Sequence, residues 1–363
     1  MKINGFALLT LLTFMGAAPA FPGESTFTAT GVIDMAPTSM SDDGSIVVGT
    51  GIFGVPNLYY TEAGGATIIG DGCFSGLPAI SGDGTTIVAC NTNAEGLWNA
   101  ARWLGGTSWL DFGTVAGGVP CDFFLSGAYG LNQDGSLAVG LLYLPQLCRA
   151  SAGTWDLQNG NQASLLPNMF GTDKTYSRAN AVNADGTVIV GWQDQLTGER
   201  SAAKWVNGVE ELILTPDGSI NGEALAVSAD GNAIVGGNYG YLGHDAWIWT
   251  PATGVQPIGL PSRESFTARD VSDDGKTVIG FTTHNRPFTW RAGSVETRHK
   301  HGTRYLLDFL RSRGAVVPDG FRMVAANVIS ADGNIVYGWG FNADLRVEMF
   351  KAELDTSATG PSH

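Results

Sequence analysis

The stretch VSADGNAIVGG, residues 227–237, recurs along the chain: MSDDGSIVVG at residues 40–49, VNADGTVIVG at 182–191 and VSDDGKTVIG at 271–280. Aligned on Asp-Gly there are seven copies, at Asp43, Asp83, Asp134, Asp185, Asp230, Asp274 and Asp332. Ser or Asn stands two residues before each aspartate, at Ser41, Ser81, Asn132, Asn183, Ser228, Ser272 and Ser330. Another glycine follows five residues after each Asp-Gly glycine, with Ala89 the exception. The copies are spaced 40 to 58 residues apart, as in a repeat architecture.

The phrase reads as a hairpin joint. Ser or Asn, then Asp, suit a type I turn, and the glycine accepts the left-handed bulge residue that follows. The aliphatic run after it is the second strand, and the alanine-rich run before it the first. An aromatic comes 16 to 21 residues after each aspartate, at Tyr60, Trp103, Trp155, Trp205, Trp249, Trp290 and Phe350. Alanine precedes it by three at Ala100, Ala152, Ala202 and Ala246. A Gly-turn and a fourth short strand complete each unit.

Four-stranded units at this spacing predict an all-β fold, a seven-bladed β-propeller over residues 21–355. The alanines suit a crowded ring at the channel, and the aromatics suit the wedge between blades. The last copy stops after its third strand, so the N-terminal strand beginning near Thr26 is expected to complete that blade and close the ring. An open solenoid would need polar capping repeats, which the sequence lacks. Residues 299–314, HKHGTRYLLDFLRSRG, break the pattern. They predict a short amphipathic helix near 303–313 with Thr303 as N-cap and Gly314 as its stop.

The remaining composition narrows the class. Of 363 residues 15% are charged and 51 are glycine, and the net charge is −14. No basic face is offered to nucleic acid, and the charge suits solubility outside the cell. Residues 1–20 carry one lysine, an apolar run and Ala18-Pro19-Ala20, which reads as a secretory signal cleaved before Phe21. No later run is long enough to span a bilayer. A secreted or periplasmic monomer with a polar tail over 356–363 is expected. Four cysteines then allow two disulfides in three pairings. Cys73–Cys90 and Cys121–Cys148 are favoured because each pair flanks one copy; free buried thiols are the alternative.

With these residues in view the chain resembles the HAF family of bacterial extracellular repeat proteins. The shared pattern is A-x-x-[SN]-x-D-G-x-x-[VI]-[VI]-G followed by A-x-x-W and a Gly-turn, with the closing segment LLDFLRSRGAVVPDGFRMVAANVISADGNIVYGWG. The resemblance covers nearly the whole mature chain. It implies a secreted or cell-surface bacterial propeller, and it brings no catalytic residues with it.

No metalloprotease, hydrolase, phosphate-loop or C-x-x-C motif is present, and no cofactor is expected. The Asp-Gly phrase is a turn rather than a calcium loop, because the place four residues before Asp is usually apolar or small. Only the sixth copy, with Asp270, offers an acid there. His299 and His301 are flanked by Lys300 and Arg304 and read as a basic turn rather than a metal pair.

If the Asp-Gly turns share one rim, the loops between second and third strands gather on the opposite face. They hold Trp98, Trp192, Asp194, Tyr239, Tyr241, His284, Trp339 and Arg346, a set suited to sugar rings or to a protein partner. Two functions follow. One is a binding or scaffold propeller for a glycan or surface protein. The other is a glycan-active hydrolase or lyase, which needs paired carboxylates such as Asp194, Glu199, Asp245 and Asp344 could supply.

Overall fold

The computed structural model describes residues 24–52, 56–115, 121–144, 147–219, 221–237, 246–259, 264–293 and 302–355. The leader read over 1–20, the tail 356–363 and Tyr239, Tyr241, Asp245, His299 and His301 lie outside these residues.

Seven four-stranded antiparallel sheets form the blades of a propeller. The inner strands of blades one to seven are Met35–Met40, Ala79–Ile80, Ser126–Leu131, Ser177–Val182, Glu223–Val227, Phe266–Val271 and Arg322–Ile329. Closure is as the sequence implies. Thr26–Ile33 pairs with Val347–Glu353 as the outer strand of blade seven, Thr26 opposite Glu353 and Ala29 opposite Phe350. Phe27 stacks on Phe350 at 5.4 Å, and Ser25 N–H donates to Arg313 C=O at 2.9 Å. The termini of the ring thereby remove a free sheet edge.

Each Asp-Gly phrase makes the same turn. In blade five the buried Ser228 hydroxyl donates to Asp230 Oδ1 at 2.7 Å and accepts from the Ala233 amide at 2.9 Å. Gly231 has φ +74°, the left-handed region glycine tolerates. In all seven turns the Asp carboxylate also accepts the amide two residues on, at 2.9–3.0 Å.

The residue between Ser/Asn and Asp links the blades. Asp42 N–H donates to Gly82 C=O, Gln133 to Ala184, Ala184 to Ala229, Ala229 to Asp273, Asp273 to Ala331, and Ala331 back to Asp42, at 2.9–3.4 Å. Six of the seven blade junctions on this rim therefore carry a backbone hydrogen bond. At the remaining one, Asp42 Oδ2 accepts from Gln133 Nε2 at 2.8 Å, passing Gly82, where a Cβ would stand 2.4 Å from Asp42 Oδ1.

The recurring aromatics wedge between blades. Trp155 packs on Ala79, Val88 and Ala100 of blade two, and Trp205 on Val139 and Ala152 of blade three; both are fully buried. The segment before the helix corrects one expectation. Thr303 is no N-cap: Thr303–Tyr305 is the outer strand of blade six, paired with Phe288–Trp290, and the helix runs Leu306–Ser312. Strand pairing wins over the capping signal because the buried Thr303 hydroxyl is drawn to Ile258 C=O of blade five. Leu306, Phe309 and Leu310 then bury against Met323, Phe350 and Leu354.

Two outcomes test this fold. Ser228→Ala should cost about 1–3 kcal/mol, because the buried Ala233 amide loses its acceptor; an unchanged melting temperature contradicts that role. The second concerns acid. All seven turn aspartates titrate below their ordinary 3.8. The hydroxyl two residues before dominates at Asp43 and Asp83, the hydroxyl two residues after at Asp134 and Asp185, and the Asn232 amide at Asp230. At Asp274 and Asp332 burial pushes upward and the same hydrogen bonds outweigh it. Lowered folded values mean stability that is present above the unfolded value of about 3.8 and is lost as pH falls through the folded ones. The share of stability that the turns supply should hold to about pH 4 and drop below it. A variant with Asn at Asp43, Asp185 and Asp230 should start lower and drop less. Equal slopes of melting temperature against pH in the two proteins would refute the assignment.

Candidate functional site

The inner strands line a central cavity of about 560 Å³. In six of the seven, one residue bulges out of register five places before the Asp-Gly aspartate: Thr38, Tyr129, Asn180, Leu225, Arg269 and Asn327. All six line the cavity. A bulge re-aims its side chain. The glycine that closes each phrase makes room for it: a Cβ on Gly49, Gly140, Gly191, Gly236, Gly280 or Gly338 would stand 2.0–2.3 Å from a backbone carbonyl oxygen of the inner strand. Blade two departs on both counts. It has Ala89 in place of the glycine, Pro78 in place of the bulged residue, and an inner strand of only Ala79–Ile80 with no register shift.

Just below the bulges, Ser39 Oγ accepts the Ile80 amide of the next blade at 3.2 Å. Asp270 does the same in blade six, accepting from Ile329 at 2.9 Å through one oxygen and from its own neighbour Val271 at 2.9 Å through the other. The acid that looked like a calcium ligand is thus a latch between blades. Some of its surface faces the bore, yet the depth of the wall pushes its carboxyl up to about 7. Asp273 is likewise pushed up by burial, and then by the charges of Asp42 and Asp274.

At the mouth opposite the Asp-Gly rim, buried Glu223 accepts from Arg178 at 3.0 Å and from Arg200. Arg200 also reaches Asp194 at 3.4 Å. Burial raises the Asp194 carboxyl, offset by Arg200. Arg200 lies over the Trp192 ring at 3.5 Å and Arg178 over Tyr129 at 4.4 Å. Of the predicted residues, Trp192 and Asp194 are therefore brought together, but the Trp192 ring is buried under guanidinium rather than open to a ligand.

Trp98 lies in a second cluster beside this one. It packs with Phe74 at 5.6 Å, Phe123 at 4.6 Å and Phe124 at 5.0 Å, and Phe124 stacks on Tyr143 at 5.1 Å. Phe74 also lines the cavity, and it is 64% exposed while Phe123 is 43% exposed. The disulfides Cys73–Cys90 and Cys121–Cys148 form as expected and anchor the segments that carry these two rings. His284, 66% exposed on its side chain, sits 3.8 Å from Glu264, which is held by Arg286 and Tyr305. Trp339 packs on Phe341 in blade seven, and Arg346 is exposed on the loop that follows. Among the described residues, neither shares a ring or ion contact with the mouth cluster.

The sequence reading missed Phe74, Arg178, Arg200, Glu223 and the bulged residues. One signal was available for the last group. Between repeated small residues, the position five before Asp changes chemistry from copy to copy: Thr38, Pro78, Tyr129, Asn180, Leu225, Arg269, Asn327.

No known protein family and no curated protein matches the chain. Solved structures match as propellers. The β-propeller domain of the Trilobed protease from Pyrococcus furiosus aligns at TM-score 0.55 and 12% identity, over 91% of this chain and 100% of that one. Oligogalacturonate lyase from Vibrio parahaemolyticus aligns at 0.55 and 13%, over 92% and 94%. TolB from Acinetobacter baumannii aligns at 0.45 and 15%, over 88% of this chain and 63% of that one, so the chain spans less than two thirds of TolB. At these identities the likeness is one of fold.

The mouth network predicts a stability effect. Glu223→Ala leaves two guanidinium groups without their shared carboxylate and should cost about 2–3 kcal/mol, a buried-pair cost reduced for the part exposure of the arginines. Glu223→Gln should recover part of it. A neutral Glu223→Ala variant in urea unfolding would contradict the network.

Proposed function

We propose that the protein is an exported binding propeller, of the kind the HAF-repeat resemblance implies, that recognises a glycan across the mouth opposite the Asp-Gly rim. The observation that carries this reading is the aromatic shelf beside the cavity, with Phe74 and Phe123 exposed, Trp98 half-buried between them, and two disulfides pinning it. Flat apolar rings next to fixed donors and acceptors suit a sugar, whose ring faces are apolar and whose edges carry hydroxyls. Disulfides at these positions accord with an oxidising compartment. A hydrolase or lyase needs a carboxylate free to move a proton or attack. Here Glu223 is held by two arginines and Asp194 by one, which favours binding. The raised Asp194 carboxyl favours the enzyme reading.

A glycan array probed with the mature, disulfide-intact protein tests this, read for both retention and cleavage. Retention is expected, with Trp98→Ala and Phe74→Ala each losing about tenfold or more in affinity, the scale of one good aromatic contact. No retention by any glycan overturns the proposal, and cleaved products establish the enzyme instead.

A further inference from the structure

We propose that the bore holds a second, deeper site for a small carboxylate carrying a neighbouring hydroxyl, with Arg269 receiving the carboxylate and Asn327 the hydroxyl. This goes beyond the glycan reading of the mouth and does not depend on it.

The argument sorts the polar groups of the bore by whether their hydrogen-bonding capacity is used. The Thr38 hydroxyl donates to Pro78 C=O at 2.6 Å. Asn180 accepts from Arg178 and donates to Ala224 C=O, each at 2.7 Å. Arg178 is further taken by Glu223, Asp42 accepts from Gln133, and both Asp270 oxygens accept backbone amides. Of the bulged residues, Tyr129, Arg269 and Asn327 remain, the last two on adjacent blades. Among the described residues no hydrogen bond or ion pair engages the Arg269 guanidinium, which has only the charge of Asp270 beside it. The Asn327 side chain makes no hydrogen bond either: its Oδ1 is sealed in the wall, which leaves the amide nitrogen as its edge toward the bore. Both residues thus offer the bore donors that no protein group engages.

These donors define the guest. A guanidinium fork matches a carboxylate in bidentate geometry. The Asn327 amide nitrogen donates, and a hydroxyl on the neighbouring carbon accepts. Asp270, Asp273 and Asp42 line the same bore, so a single negative charge is favoured over a dianion such as a phosphate monoester. Tyr129 and Leu225, at the same bulge position of blades three and five, add apolar surface, and the cavity has room for one sugar ring. A free hydroxy acid and the acidic end of a glycan share this chemistry.

Isothermal titration of the disulfide-intact protein with glucuronate, lactate, glucose and a glucuronate-ended disaccharide tests the site. Glucuronate should bind at least tenfold more tightly than glucose. Arg269→Gln should weaken it by about 10- to 100-fold, and Asn327→Ala by about 3- to 10-fold. Arg269→Lys keeps the charge but not the fork and should recover only part of the loss. Lactate binding as tightly as glucuronate points to a free hydroxy acid; tighter binding of the disaccharide points to a glycan end. Val316→Ala, at an exposed position that does not line the cavity, should leave glucuronate binding unchanged. Failure of both acids to bind, parity of glucose with glucuronate, or binding indifferent to both Arg269 variants overturns the proposal. If Arg269→Gln does not fold, wild-type selectivity and Arg269→Lys decide it.

Discussion

A backbone carbonyl of six of the seven inner strands approaches the second strand so closely that only glycine fits there, and much of the molecule follows from that approach. The carbonyls of Ala36, Gly127, Arg178, Glu223, Thr267 and Ala325 stand where a Cβ would meet them at 2.0–2.3 Å. The approach accompanies the bulge, since the inner strand carries one residue more than its partner at that level. Without the bulge, alternation would send these side chains into the packed faces between blades. With it, they line the bore. Blade two supports the connection by exception: alanine replaces the glycine, proline cannot donate to a ladder, and the inner strand shrinks to two residues.

This arrangement separates what repeats from what varies. Ser/Asn, Asp and the two glycines set the turn and the bulge, and the aromatic sets the spacing of blades. All of these serve every copy alike. The bulged position carries no share of that work, so it is free to differ, and it runs from leucine to arginine around one ring. A symmetric backbone thus carries an asymmetric lining, with Arg178, Arg200 and Glu223 at the mouth, Arg269 and Asp270 on blade six, and Asp42 and Asp273 at the Asp-Gly rim. The net charge of −14 says nothing about that local arrangement, because field lines in a narrow bore depend on the few groups that line it.

The blade count, the phase, the closure by the N-terminal strand and the disulfide pairs were legible in the sequence, since each rests on local turn chemistry or on spacing. The bulge was not. It is a statement about register between two strands, and the residues on either side of it are ordinary small ones. The Arg178–Glu223–Arg200 network escaped for a related reason. Its members come from two inner strands and one loop strand, and only the ring geometry brings them together. Thr303 shows the opposite failure, where a good local capping signal lost to strand pairing with Phe288–Trp290.

Asp270 shows how a local reading is reversed by a neighbour in the next blade. Read along the chain, its spacing to Ser272 and Asp274 resembles a cation loop with one ligand more than the other copies have. In the ring its two oxygens are spent on the amides of Val271 and Ile329, the second of them across the junction between blades six and seven. Ser39 performs the same task between blades one and two with a neutral hydroxyl. A carboxylate in that role costs more, because the wall around it disfavours its charge and pushes its titration upward. A guanidinium one residue away offsets part of it.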